Sequence, residues 1–110
     1  LLDNLSNLIV FKKEINVVGL PVVFGENAEK YFQIFFSLLE INGFPKKEIK
    51  NYYYFQIGRW DLELLSGQII KFPSNKTTEA INKSIKLINR KDFSNYKVID
   101  LRIHGKIVVE

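Results

Sequence analysis

The sequence predicts an α+β fold: an antiparallel β-sheet built from hairpins, with two amphipathic helices packed on one face. Three observations predict it. Short β-branched and aromatic runs follow one another across tight, turn-forming residues, as hairpins do. Two longer stretches carry apolar residues at helical spacing instead. The 110 residues can bury one core but not two, so residues 1–110 are expected to form a single domain.

Taken in order, LIVF (8–11) and VVGLPVVF (17–24) are β-branched and apolar, with turn-like breaks between them. Gly25 ends this extended chain. In ENAEKYFQIFFSLLEINGF (26–44), Ala28, Phe32, Phe35 and Leu39 recur at helical spacing, and Tyr31, Leu38 and Ile41 broaden the stripe. Glu26 and Glu29 lie where the helix dipole favours acids. Asn42-Gly43 is a C-terminal stop, and Pro45 cannot continue the helix. NYYYFQI (51–57) reads as a strand. SNKTTEAINKSIKLINRKDF (74–93) reads as a second helix with Ile81, Ile85 and Ile88 on one stripe and Thr77 or Thr78 as its cap. VIDLRI (98–103) then turns at His104-Gly105 into KIVVE (106–110).

Between strand and second helix lies RWDLELLSGQIIKFP (59–73), which holds the single tryptophan. A two-residue Ser66-Gly67 loop would put Lys71 on the same face as Trp60, Leu62 and Leu64. A three-residue loop, Leu65-Ser66-Gly67, with Gly67 in a left-handed bulge, sets Leu62 opposite Ile70 and Trp60 opposite Phe72. Asp61 then falls opposite Lys71 on the other face. This register is consistent on both faces, so Trp60, Leu62, Ile70 and Phe72 are expected in the core and Asp61 in a solvated cross-strand ion pair.

Composition excludes several kinds of chemistry. With no cysteine there is no disulfide scaffold, thiolate metal site or cysteine nucleophile. His104 is the one histidine, placed in a turn, so a transition-metal site lacks ligands. The carboxylates show no calcium-loop spacing, and no phosphate loop or nucleophile elbow occurs. The expectation is therefore no catalytic residues, no metal, no cofactor and no enzyme activity. The net charge of +4 raises the alternative of a basic nucleic-acid-binding module. Its aromatic and basic candidates would be Tyr52, Tyr53, Tyr54 and Phe55 with Lys46, Lys47 and Lys50. Elsewhere the basic residues are scattered, so no nucleic-acid partner is expected. A generic protein-interaction domain is the other alternative. The most apolar stretch, YFQIFFSLLEI (31–41), is interrupted by polar residues and falls far short of the roughly 20 residues needed to span a bilayer. The chain begins Leu-Leu-Asp and is read as a soluble fragment of a longer protein.

Four stretches together resemble the C-terminal β domain of the bacterial cell-division family FtsQ/DivIB, in its alphaproteobacterial form. GLPVVFGENA (19–28) resembles the family segment "lPlvvGegA" ahead of the first helix. GRWDLELLSGQIIKFP (58–73) resembles the family hairpin that ends in Pro. The helix at 77–90 falls where the family has one, and VIDLRIHGKIVVE (98–110) resembles the closing hairpin, with its "v-D-L-R" core at Asp100, Leu101 and Arg102. Ile103 departs from the aromatic or leucine often found there.

The resemblance implies a non-catalytic divisome scaffold. Family members have a cytoplasmic tail, one membrane helix, a periplasmic POTRA domain and then this β domain. The parent protein is thereby expected in the inner membrane at the division septum, with this part on the periplasmic side and the tail, membrane helix and POTRA domain missing. The implied partners are FtsB and, through it, FtsL, which would add a strand to the edge of the last hairpin. By position, the implied contact residues are Arg102, Ile103, Gly105, Lys106, Ile107, Val108 and Val109, with Arg102 suited to a partner carboxylate. A short apolar last strand fits this mode, because an unpaired edge is a template for another chain.

Overall fold

Two strand–helix–strand crossovers organise the sheet as much as its hairpins do. A computed structural model describes residues 10–11, 21–103 and 105–110. In chain order these form β1 (Val10–Phe11), β2 (Val22–Phe24), α1 (Ala28–Ile41), β3 (Ile49–Phe55), β4 (Arg59–Leu64), β5 (Ile69–Lys71), α2 (Thr77–Ile88), β6 (Val98–Asp100) and β7 (Val108–Val109). The described strands form one sheet in the order β1-β2-β3-β4-β5-β6-β7. The expected strand residues at 8–9 and 17–20 and the turn residue His104 lie outside the described residues.

The α+β class holds, but the sheet is mixed where a purely antiparallel one was expected. β3–β4, β4–β5 and β6–β7 are antiparallel. β1–β2, β2–β3 and β5–β6 are parallel. The physical reason lies in the helices. A strand that returns to its neighbour's side through a helix enters from the same end and pairs in parallel. β2 and β5 run in the same direction, and both crossovers step the same way along the sheet. Right-handed connections therefore put α1 and α2 on the same face, where they touch each other.

The core lies between that face and the helices. Val23, Tyr52, Leu62, Leu64, Ile70, Phe72, Ile99 and Leu101 point into it from the sheet, and all are buried. Trp60 is buried with them. α1 contributes Ala28, Phe32, Phe35 and Leu39, all buried. Tyr31 and Ile41, which broadened the apolar stripe in sequence, are instead exposed. On α2 the buried residues are Ala80, Ile81, Ser84 and Leu87, and the Ser84 hydroxyl donates to the Ile81 carbonyl at 2.6 Å. Ile85 and Ile88 flank the core, half-buried. Neither threonine caps α2. The residue before the helix is Lys76, in the left-handed region at φ 51°, and it makes no side-chain cap.

The central hairpin has the three-residue loop. Gly67, at φ 95°, donates its N–H to the Leu64 carbonyl at 2.8 Å. Asp61 then pairs with Lys71 and Leu62 with Ile70 across β4–β5. The left-handed glycine adds the bulge that brings alternate residues into step on both faces.

Candidate docking edge

β7 is the last of the described strands in the sheet, and its backbone shows which groups face outward. The Glu110 N–H donates to the Val98 carbonyl at 3.0 Å, and the Val98 N–H returns to the Glu110 carbonyl at 3.5 Å. Val98 and Glu110 are thus a hydrogen-bonded pair. In an antiparallel ladder such pairs alternate, so Asp100–Val108 is the next one and Ile99–Val109 lies between them. The Val109 N–H and C=O consequently point away from β6, towards the open edge. Those of Val108 point inward to Asp100.

The side chains at this edge are apolar and accessible. Ile103, Ile107, Val108 and Val109 are all exposed. Val109 shares the helix-bearing face with its neighbour Ile99, and Val108 shares the opposite face with Asp100. An edge strand that is apolar towards both faces resembles a strand meant to be covered on both sides. Gly105 and Lys106 lie in the connecting loop, where the Lys106 N–H donates to the Ile103 carbonyl at 3.1 Å.

Arg102 is committed within the chain. Its Nη2 donates to Asp100 Oδ2 at 2.6 Å and its Nε to Oδ1 at 2.9 Å, while its own backbone N–H reaches Oδ1 at 3.0 Å. The guanidinium expected to receive a partner carboxylate already holds one bidentately, and it keeps Asp100 below the usual carboxylate range. Sequence reasoning gives Asp100 no role of its own. The signal is nonetheless present in D-L-R, because residues two apart on an extended chain share a face.

On the helix-free side of the sheet, Asp61, Lys71 and Asp100 stand in one cross-strand row. Asp61 was expected to be solvated, yet it is buried and paired with Arg59. Burial raises its pKa above the ordinary carboxylate value, with Arg59, Lys71 and Arg102 pulling the other way. A carboxyl with a raised folded pKa contributes most stability when protonated in both states, and it loses that contribution as pH rises through the folded pKa. Wild type is therefore expected to match Asp61→Asn in acid, below the unfolded aspartate value of about 3.9. It should fall behind progressively towards neutral pH in paired urea titrations. A stability difference that does not change with pH would contradict the burial argument.

The tyrosines of β3 do not gather on one exposed basic face. Tyr52 and Tyr54 are buried, and Tyr53 stacks on Phe24 and donates to Glu63 Oε1 at 2.8 Å. Lys46 pairs with Glu40 at 3.0 Å. Among the described residues, no group of three His, Cys, Asp or Glu side chains could hold a metal ion.

Residues 5–102 match the family described as cell division protein FtsQ/DivIB, C-terminal. The chain belongs to the FtsQ/DivIB family. It is 35% identical over 96 residues to a protein of Rickettsia conorii (strain ATCC VR-613 / Malish 7) named cell division protein FtsQ. That alignment covers 80% of this chain and 34% of the relative, so the chain spans about a third of the relative's length. Membership in FtsQ/DivIB assigns the chain to cell division. Among the described residues, no helix is long and apolar enough to cross a membrane.

Proposed function

We propose that this domain is a non-catalytic docking platform of the division machinery, and that a partner of the FtsB type, with FtsL behind it, adds a strand to β7. The observation that carries this reading is the outward-facing backbone of Val109 on the terminal strand of the sheet. Ile103, Ile107, Val108 and Val109 supply apolar side chains around it. Strand addition draws affinity from backbone hydrogen bonds and specificity from alternate side chains. Arg102 then has a changed part: locked on Asp100, it braces the loop after β6 and leaves Ile103 exposed. The parent protein is placed by this reading in the inner membrane at the septum, with the domain on the periplasmic side.

The test is a titration of isotopically labelled chain with a peptide from the membrane-distal end of the same organism's FtsB, read by backbone amide shifts. Shifts should concentrate between Asp100 and Glu110. Val109→Pro removes an outward donor without touching the β6–β7 ladder, so it should weaken binding at least about tenfold with little change in melting temperature. Val108→Pro removes an inward donor and should loosen the hairpin itself. Full binding by Val109→Pro, or shifts that avoid this segment, would reject strand addition at β7.

A further inference from the structure

α1 carries a second apolar stripe that the core uses only in part, through Leu38 packed against it and Tyr31 stacked on Tyr54. Tyr31, Ile34, Leu38 and Ile41 recur at intervals of three, four and three residues, the spacing of a coiled-coil seam. Tyr31 is 46% exposed, Ile34 66% and Ile41 78%, while Leu38 is half-buried. Beside this stripe lies a cleft of about 420 Å³, walled by Tyr31, Ile34, Leu38, Tyr54 and Ile57 and floored by Trp60. Ile57, on the turn between β3 and β4, is 75% exposed on the far bank. Among the described residues no charged side chain lines the cleft, although Gln56, Ser74 and Thr77 add polar groups to its wall.

We propose that a second copy of this chain docks here, with the two α1 helices antiparallel about a two-fold axis. The patch is self-complementary. The cleft runs along the stripe from Tyr31 to Leu38, and the most exposed apolar side chain, Ile41, sits beyond its end. Antiparallel pairing sets Tyr31 against Ile41 of the second copy and Ile34 against its Leu38. Each Ile41 then meets the other copy's cleft, so the same contact is made twice, as a closed two-fold interface requires.

The charges permit this arrangement. Ser37 and Lys30 flank the seam, and antiparallel pairing carries the two Lys30 side chains to opposite ends. Glu40 points to the far side of the helix and is tied to Lys46. The area also sets a strength. Covering all of the exposed surface of these side chains would bury at most on the order of 1,000 Å² across the two-fold, the lower bound for a specific interface. The pair is therefore weak and concentration-dependent. It leaves β7 free, because the strand and the cleft draw on separate elements.

Sedimentation equilibrium of the 110-residue chain from about ten micromolar to about one millimolar tests this. The weight-average mass should climb towards that of a dimer. Ile41→Glu should stay monomeric with an unchanged melting curve, since the side chain is exposed, and Val109→Pro should dimerise like wild type. The chain has no cysteine of its own, so register can be read directly. A mixture of Tyr31→Cys and Ile41→Cys chains should oxidise mainly to the mixed dimer. A wild type that remains monomeric throughout overturns the proposal. So does association that survives Ile41→Glu, or that is lost in Val109→Pro, which would mark edge-to-edge pairing instead. Preferential same-variant disulfides would overturn the antiparallel register.

Discussion

Trp60→Ala is expected to cost about 3–5 kcal/mol of folding stability, the range for emptying a large aromatic site in a packed core. Trp60 sits where β4 meets α1 and is only 5% exposed. Its ring stacks on Phe35 at 5.1 Å with the planes 3° apart. Tyr54 lies at 4.9 Å, and Phe32 and Tyr52 approach its edge at 6.0 and 6.4 Å. Alanine would leave these four rings facing a void next to the cleft, with few neighbours able to collapse into it. A domain of this size has roughly 5–15 kcal/mol in total, so the variant should be near its unfolding threshold at 37 °C. Urea unfolding followed by far-UV circular dichroism measures the loss. Trp60→Phe keeps a ring against Phe35 and should lose about half as much or less. A Trp60→Ala midpoint displaced by the equivalent of less than about 1 kcal/mol would show that the aromatic cluster is not what joins helix and sheet.

How far the fold could be read from the sequence depended on whether a feature was local. The stripe Ala28, Phe32, Phe35 and Leu39 was legible because a single helix face faces the core. Tyr31, Ile34 and Ile41 lie about a quarter-turn away, and nothing in apolar spacing says which of two adjacent stripes the sheet will cover. The hairpin register was legible because a misplaced Lys71 would have broken the pattern on both faces at once. Parallel pairing was less so, since hairpins outnumber crossovers along the chain. The cue was available, however, in β2–α1–β3 and β5–α2–β6, where a helix between adjacent strands imposes the parallel sense.

The docking edge is not a local feature. That β7 is the last described strand of the sheet is set by the topology, since being last in the chain does not by itself make a strand an edge. Which of its residues faces outward was not legible either, because that depends on the hydrogen-bonded parity set by Val98 and Glu110. The burial of Asp61 was hidden for a related reason. Alternation assigned it to the helix-free face, but Arg59 beside it on β4 and Lys71 across from it are long enough to cover a short carboxylate.

Gly25→Ala should be the other large loss, roughly 2–6 kcal/mol, adding backbone strain to overpacking. Gly25 has φ +121°, a conformation that side chains other than glycine's rarely adopt. An added Cβ would also lie 2.4 Å from the Tyr54 carbonyl oxygen and 3.1 Å from the Tyr54 Cβ. That neighbour cannot swing aside as a flexible side chain would, because the oxygen is backbone within β3. The Tyr54 ring stacks on Tyr31 at 5.2 Å and packs on Trp60, so displacing it would disturb the aromatic cluster and the cleft wall together. Gly43→Ala is the matched control. Gly43 also has positive φ, at +81°, but a Cβ added there would meet no atom of the described residues within 4 Å. It should show only the conformational cost, about 1 kcal/mol. The difference between the two melting curves isolates the close approach of β2 to β3. Equal losses would mean that Tyr54 gives way, and that Gly25 serves the turn alone. A much larger loss at Gly25 would tie that glycine to the parallel junction that fixes Tyr54, and through it Trp60, against α1.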